Sequence, residues 1–422
     1  MTTQKRVTVG SVLRVRSFLA LSIGQTISQF GDRLNHMALI ALVSEMMPGS
    51  TFKFSKLMIF VTVPGLIFGP ISGAFVDRWN KKKVLIFCDL MRAGLVLLIP
   101  FIPNSQVVFA VVFLVFSAGL FYSPAKMALV PSVIAKRKIL MAGSVTTFSA
   151  RTSTVIGAVA GGMIVGYFGW RLSFYLDSLS YVLSALMMLL VTYRPAGRPG
   201  EVEEIVPEVR RKGGIRAALR ESKKIFVEVW EGLRFAFSYR TTVFAFLCAT
   251  AIALAGGSLY VLVIVLVKEI LDKGMEGLGT LIGFLGVGMI LGSVLTGRFG
   301  PAIKEKRMIL AGIMTFGLVV VVFARMKSMI WMSVLAGIGG ISLSPVMISL
   351  DALLQKSVPA NFRGRVFSAR DSILNGGFLV SSVLVGLVAE NLDKSSTMTF
   401  VGLSLMLAAI LIREFSKGVA IE

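Results

Sequence analysis

Long apolar runs fill the chain and short polar loops interrupt them. The runs fall at about 17–44, 56–76, 84–102, 106–125, 139–168 and 172–192. After a polar stretch they resume at about 242–267, 277–297, 308–324, 329–350, 366–389 and 396–412. Each is close to the roughly 20 residues a helix needs to cross the hydrocarbon core of a bilayer. The pattern predicts an all-α polytopic membrane protein with twelve transmembrane helices. It divides into an N-terminal six-helix half at 1–192, a cytoplasmic linker at 193–240 and a C-terminal half at 241–422. A transmembrane barrel is excluded, because its strands would be short and would alternate apolar and polar positions. The linker opens on Arg194-Pro-Ala-Gly-Arg-Pro-Gly200, which breaks a helix. Further on, Ile225, Phe226, Val229, Trp230, Leu233 and Phe237 recur at helical spacing, which predicts an amphipathic helix on the cytoplasmic leaflet.

Composition sharpens this reading. The 422 residues are 55% hydrophobic and only 16% charged, where soluble proteins carry about 25% charged residues. A net charge of +22 would suggest a nucleic-acid partner in a soluble chain. Here the basic residues follow the loops instead. With the amino terminus in the cytoplasm, 33 of the 44 Lys and Arg fall on the cytoplasmic side and 8 on the other, while Arg33, Arg92 and Arg151 lie within spans. That asymmetry predicts both termini in the cytoplasm of a bacterial-type inner membrane and no nucleic-acid partner. The first apolar run is too long for a signal peptide and is expected to be retained. Cys88 and Cys248 lie in apolar segments and form neither a disulfide framework nor a zinc spacing.

Polar residues inside spans cost about 2.5–3.5 kcal/mol each when charged, so each needs a reason. On the first helix Gln25, Ser28, Gln29, Asp32, Asn35 and His36 share one face, turned toward a water-filled cavity or a polar partner helix. On the fifth, Ser144, Thr147, Arg151 and Thr154 share a face, with Arg151 roughly 15 Å into the span. Asp32 and Arg151 are therefore expected to pair, with the protonation of Asp32 coupled to the fate of Arg151. Gln25, Gln29, Asn35, His36, Thr147 and Asn375 are the candidate cavity residues, and Asp371 is the next carboxylate to consider. Asp89 and Arg92, three residues apart on the third helix, and Asp177 on the sixth read as structural pairing. Asp351, at the end of the tenth helix, is expected to meet Arg363 or Arg365. His36 is the one histidine, and a metal would need more ligands than His36 and Asp32. Neither a metal nor a cofactor is expected. The chain has no P-loop for nucleotide, and a single histidine argues against triad chemistry, so it does not read as an enzyme.

The two halves repeat one another. Ser123-Pro124 returns as Ser344-Pro345, 221 positions later, and Phe148-Ser-Ala-Arg151 returns as Phe367-Ser-Ala-Arg370, 219 positions later. Between the second and third runs stands Gly73-Ala-Phe-Val-Asp-Arg-Trp-Asn-Lys-Lys-Lys83. Its Gly-x-x-x-Asp-Arg-x-x-basic-basic order resembles the signature loop of major facilitator superfamily transporters, through Gly73, Asp77, Arg78 and Lys81. With the parallel repeats, this resemblance covers nearly the whole chain and implies two pseudo-symmetric halves around a central cavity, working by alternating access. It also implies that Asp77 approaches the amino terminus of the eleventh helix and locks the outward-facing state, with Arg365 or Arg370 nearby.

Finer motifs resemble exporters. Gly157-Ala-Val-Ala-Gly-Gly162 is similar to the Gly-Pro-x-x-Gly-Gly exporter motif through Gly157, Gly161 and Gly162, with Ala158 in the proline's place. The arginine that drug–proton antiporters carry on helix 4 has no counterpart in Val115-Phe-Ser-Ala-Gly119. Tyr122-Ser-Pro-Ala-Lys126 and the stretch Leu353-Leu-Gln…Arg363-Gly-Arg-Val366 resemble macrolide and siderophore exporters. Phe30-Gly-Asp32 and Tyr122-Ser-Pro-Ala-Lys126 also resemble bacterial lysophospholipid transporters. The resemblance implies a monomeric, proton-coupled exporter of amphipathic small molecules, in contact with membrane lipids, or alternatively a lysophospholipid transporter. A non-transporting membrane sensor on the same scaffold is the reading from another class.

Overall fold

In the computed structural model, residues 8–192, 234, 239–269, 274–300, 303–390 and 392–416 are described. They form twelve long helices. We number these α1 (Arg16–Met46), α2 (Phe52–Arg78), α3 (Lys81–Leu98), α4 (Ser105–Val133), α5 (Ile139–Phe168), α6 (Trp170–Leu189), α7 (Arg240–Glu269), α8 (Met275–Phe299), α9 (Glu305–Phe323), α10 (Met329–Ser357), α11 (Ala360–Val388) and α12 (Lys394–Ser416). A five-residue helix, Val9–Leu13, precedes α1. Eleven of the twelve are long and apolar enough to cross a membrane. Only α1 falls short on that measure, because its polar stripe lowers its hydropathy. The expected amphipathic helix at 225–237 lies outside the described residues apart from Arg234.

Three of the helices, α4, α10 and α11, run well past their apolar runs, with α10 continuing to Ser357. Helix α4 continues through Pro124 and Pro131 to Val133, and α11 begins already at Ala360. Proline is tolerated within membrane helices because neighbouring groups take up the freed carbonyls. Lys126, which the apolar pattern put in a loop, therefore sits inside a helix.

The chain divides into two compact units. One contains α1 up to Leu39 and the chain from Phe60 to the end of α6. The other contains Ile40–Ile59 together with α7 to α12. The segment that joins α1 to α2 is held in the second unit by specific contacts. The Ser55 hydroxyl donates to the Ser382 carbonyl on α11. The Glu390 carboxylate accepts from the Ser50 hydroxyl at 2.6 Å and from the Phe52 N–H at 3.3 Å. A Cβ on Gly386 would lie 1.9 Å from the Ser55 hydroxyl, so a glycine is what lets the two helices touch.

The repeat in sequence is a repeat in packing. Within the first unit α3 packs on α4 and α6, and within the second α9 packs on α10 and α12. Helices α8 and α10 cross backbone to backbone. A Cβ on Gly288 would sit 2.0 Å from the Gly337 carbonyl oxygen, and one on Gly340 would sit 2.1 Å from that of Leu285. Small residues at such crossings are the usual basis of helix association in membranes, where burying apolar surface gives no drive.

Candidate functional site

The densest group of charges in the first unit is assembled from α1, α3, α4 and α6. Arg92 on α3 is at its centre and is buried. Its Nη2 donates to Asp89 Oδ1 at 2.8 Å, and its Nη1 lies 3.5 Å from Asp32 Oδ1 on α1 and 3.4 Å from the Tyr181 hydroxyl on α6. The Tyr181 hydroxyl donates to Asp32 Oδ1. The far oxygen of Asp89 accepts from the Ser184 hydroxyl at 2.7 Å. Two aromatic rings flank the guanidinium, Tyr181 at 4.2 Å and Tyr122 at 5.2 Å to their centroids, adding cation–π attraction to a buried charge. One turn along α1, Asn35 Nδ2 donates to Asp177 Oδ2 at 2.6 Å.

Three carboxylates and one guanidinium thus share a largely dry region. A buried charge is tolerated only where partners replace its hydration. Asp89 has both oxygens bonded and is buried, whereas Asp32 keeps 39% of its side chain exposed. Asp32 borders a cavity of about 160 Å³ lined by Gln25, Ser28, Gln29, Arg92, Tyr122 and Lys126, among others. Of the three carboxylates, Asp32 is the one that borders this cavity.

The polar stripe on α1 is split between two tasks. Gln25, Gln29 and Asp32 face the cavity, while the buried Asn35 serves Asp177. His36 is half-buried on the same helix. The expected Asp32–Arg151 pair is not formed. Asp32 is held by Arg92, and Arg151 is exposed on α5, where it lines a separate open hollow with Ser144, Thr147 and Phe148. The α1–α5 contact is instead made by Gly157 and Gly161. A Cβ on Gly157 would meet Arg33 Cβ at 2.8 Å, and one on Gly161 would meet the Arg33 carbonyl oxygen and Leu34 Cα, each at 3.2 Å. Gly162, next to them, is also buried.

In the second unit Asp351 is bonded by Arg370, rather than by Arg363 or Arg365, and Arg370 also donates to Asp371 at 2.8 Å. Arg363 donates from Nε to the Val358 carbonyl at 3.0 Å. Asn375 is exposed on α11. Among the described residues no group of three or more His, Cys, Asp and Glu is placed to hold a metal ion.

The signature loop is anchored where it enters α3. Asn80 caps α3 by accepting from the Lys83 N–H at 3.2 Å. Lys82 donates to the carbonyls of Leu189 at 2.9 Å and Val191 at 2.7 Å, at the end of α6, where a cation also suits the helix dipole. Lys81 donates to the Trp79 carbonyl at 3.1 Å. The side chains of Gly73, Asp77 and Arg78, and with them the expected Asp77 lock, lie outside the described residues.

Tyr181 and Ser184 complete the cluster and were not singled out from the sequence, while Tyr122 entered only as part of the Tyr122-Ser-Pro-Ala-Lys126 motif. The signal was present on α6, where Asp177, Tyr181 and Ser184 fall at i, i+4 and i+7, the spacing that marked the stripe on α1.

Comparison with known proteins agrees with this architecture. The chain is 23% identical to YfiS, a transporter of the major facilitator type from Bacillus subtilis, over 94% of this chain and 92% of that one. It is 24% identical to macrolide efflux protein A of Streptococcus pyogenes, over 89% and 90% of the two chains. The fold matches the crystal structure of a bacterial homologue of the human lysosomal transporter Spinster with a TM-score of 0.70 at 14% identity, covering 95% of this chain and 96% of that one. Residues 8–418 match the family described as Transmembrane secretion effector, and the chain belongs to that family of major facilitator transporters.

Proposed function

We propose that this transporter is a proton-coupled exporter of amphipathic small molecules that works by alternating access in the bacterial plasma membrane, with both termini in the cytoplasm. The observation that carries the reading is Asp32, half-exposed at a polar cavity and tied to the buried Arg92 and Tyr181. Taking up a proton from the outer side neutralises Asp32 and removes the ionic acceptor from Arg92 and Tyr181. Arg92 stays compensated by Asp89, so the cluster survives in a second electrostatic state. Giving up that proton toward the cytoplasm restores the first state. Two states of one buried network, each tied to a different accessibility, are what coupling requires. The similarity to macrolide efflux protein A supports outward movement of an amphipathic cargo.

The test is transport in proteoliposomes under an imposed proton gradient, with a fluorescent amphipathic dye as cargo. Asp32→Asn, which mimics the neutral state, abolishes gradient-driven movement while the dye still binds. Wild-type rate and pH dependence in Asp32→Asn would place coupling elsewhere.

A further inference from the structure

We propose that Arg151 on α5 receives the anionic headgroup of an amphipathic substrate, so that the cargo class is acidic amphipaths. This rests on the transporter reading above and names its substrate class. Arg151 stands twelve residues after the start of α5 and seventeen before its end, at the depth where a charge is most expensive in a membrane protein. Its side chain is exposed, and among the described residues no carboxylate pairs with it.

The repeat makes the contrast sharp. Arg370 occupies the corresponding place in Phe367-Ser-Ala-Arg370 and is mostly buried, with Asp351 and Asp371 both bonded to it. One motif has thus kept its neutralising acids in the second unit and lacks them in the first. Arg33 on α1 is another exposed cation with no carboxylate partner among the described residues, and its stem runs against Gly157 of α5. An arginine held at mid-helix without a resident acid is compensated when a mobile anion arrives. Its planar fork suits phosphate and carboxylate oxygens in particular.

The surroundings fit the rest of such a molecule. Arg151 lines an open hollow of about 700 Å³ with Ser144, Thr147, Phe148 and Ile139. Thr147, one turn before Arg151 on the same helix, lines the same hollow and offers a hydroxyl, and the apolar Ile139 and Phe148 continue the surface for a chain or ring. A cationic amphipath would meet Arg151 and Arg33 as like charges.

Full-length protein in phosphatidylcholine nanodiscs, scored against empty nanodiscs, tests this by displacement of a fluorescent lysophosphatidic acid. Competitors with the same acyl chain carry phosphate, phosphocholine or trimethylammonium, and inorganic phosphate forms a fourth arm. The phosphate amphipath is expected to compete at least about tenfold better than the ammonium one, a margin of the size a charge-assisted bidentate contact supplies. Arg151→Gln removes that margin, while Arg151→Lys keeps the part due to charge and loses the part due to the bidentate fork. Equal competition by all headgroups, or an unchanged margin in Arg151→Gln with wild-type thermal stability, overturns the proposal. So does displacement by inorganic phosphate at the lysolipid's own concentration, which would assign the site to a free anion. None of these results touches gradient-driven dye transport, so the exporter reading and this one fail separately.

Discussion

The carboxylate of Asp32 lies 3.5 Å from the guanidinium of Arg92, yet the two partners sit in different media, with 39% and 8% of their side chains exposed. The pair joins a half-exposed carboxylate to a buried guanidinium at the wall of the same cavity. Neutralising Asp32 changes the field on Arg92 without stranding it, because Asp89 remains at 2.8 Å. Removing Arg92 has a different consequence, since it leaves Asp89 buried with no cation.

Arg92→Leu is accordingly expected to lower stability by about 3–5 kcal/mol, the usual cost of taking one partner from a buried pair. Asp32→Asn should cost much less, because its carboxylate is partly exposed and screened. Thermal unfolding of the purified variants in detergent checks the order. Equal losses in the two would mean that the cluster is not centred on Arg92.

Gly31 is where α1 and α6 come closest beside this cluster. A Cβ there would lie 2.0 Å from the Ser180 hydroxyl and 2.4 Å from Asp177 Oδ1, and Asp177 is already bonded to Asn35. Gly31→Ala forces one of these groups to move, which costs about 1–3 kcal/mol as overpacking. Gly94→Ala on α3 meets nothing within 4 Å and serves as the control, neutral or slightly stabilising because alanine is the better helix former. A matching melting temperature for the two variants would show that the α1–α6 contact is loose.

The polar stripe on α1 was legible from spacing alone, since six polar residues on one face of an apolar helix must meet either water or a polar neighbour. The partner of Asp32 was not. Asp89 accounts for Arg92 locally, three residues away on the same helix, so nothing along the chain showed that Arg92 also reaches α1. That contact depends on how α1, α3 and α6 pack. Helix ends were misread for a related reason. Apolar runs stop where charge begins, but hydrogen bonding carries α4 past Pro131 and starts α11 at Ala360. The Arg370–Asp351 pair was missed for another reason, since it depends on how α10 and α11 pack and not on spacing along the chain.

Glu390 offers a pH test away from the spans. Its carboxyl is held below the usual glutamate range, first by the Ser50 hydroxyl and then by the Phe52 N–H. A depressed carboxyl contributes stability that is present above the unfolded-state value and is lost as pH falls through the folded-state value. Wild type should therefore be more stable than Glu390→Gln near neutrality, and the gap should close as the pH falls below the ordinary glutamate range. Melting temperatures of both proteins across that range decide it. A gap that stays constant with pH would assign the difference to packing of the amide and not to the charge.

The distribution of basic residues predicts which loops face the cytoplasm, and the structure offers clean positions for labelling. Asn104 and Ala135 are exposed, just before and just after α4. Asn104 caps the start of that helix, accepting from the Gln106 N–H at 2.8 Å, so Lys327 in the exposed turn before α10 is the safer partner site on the same predicted side. The native cysteines Cys88 and Cys248 are both buried, so a single added cysteine reports with little background. A membrane-impermeant maleimide added to intact cells should label Lys327→Cys and Asn104→Cys but not Ala135→Cys. Inverted vesicles should give the reverse, because crossing one helix must change the side. The positive-inside rule biases orientation through charges near the helix ends, and Lys138 and Arg137 lie within a few residues of Ala135. Labelling of Ala135→Cys and Asn104→Cys from the same face would mean that α4 does not span, and the twelve-helix topology would fall with it.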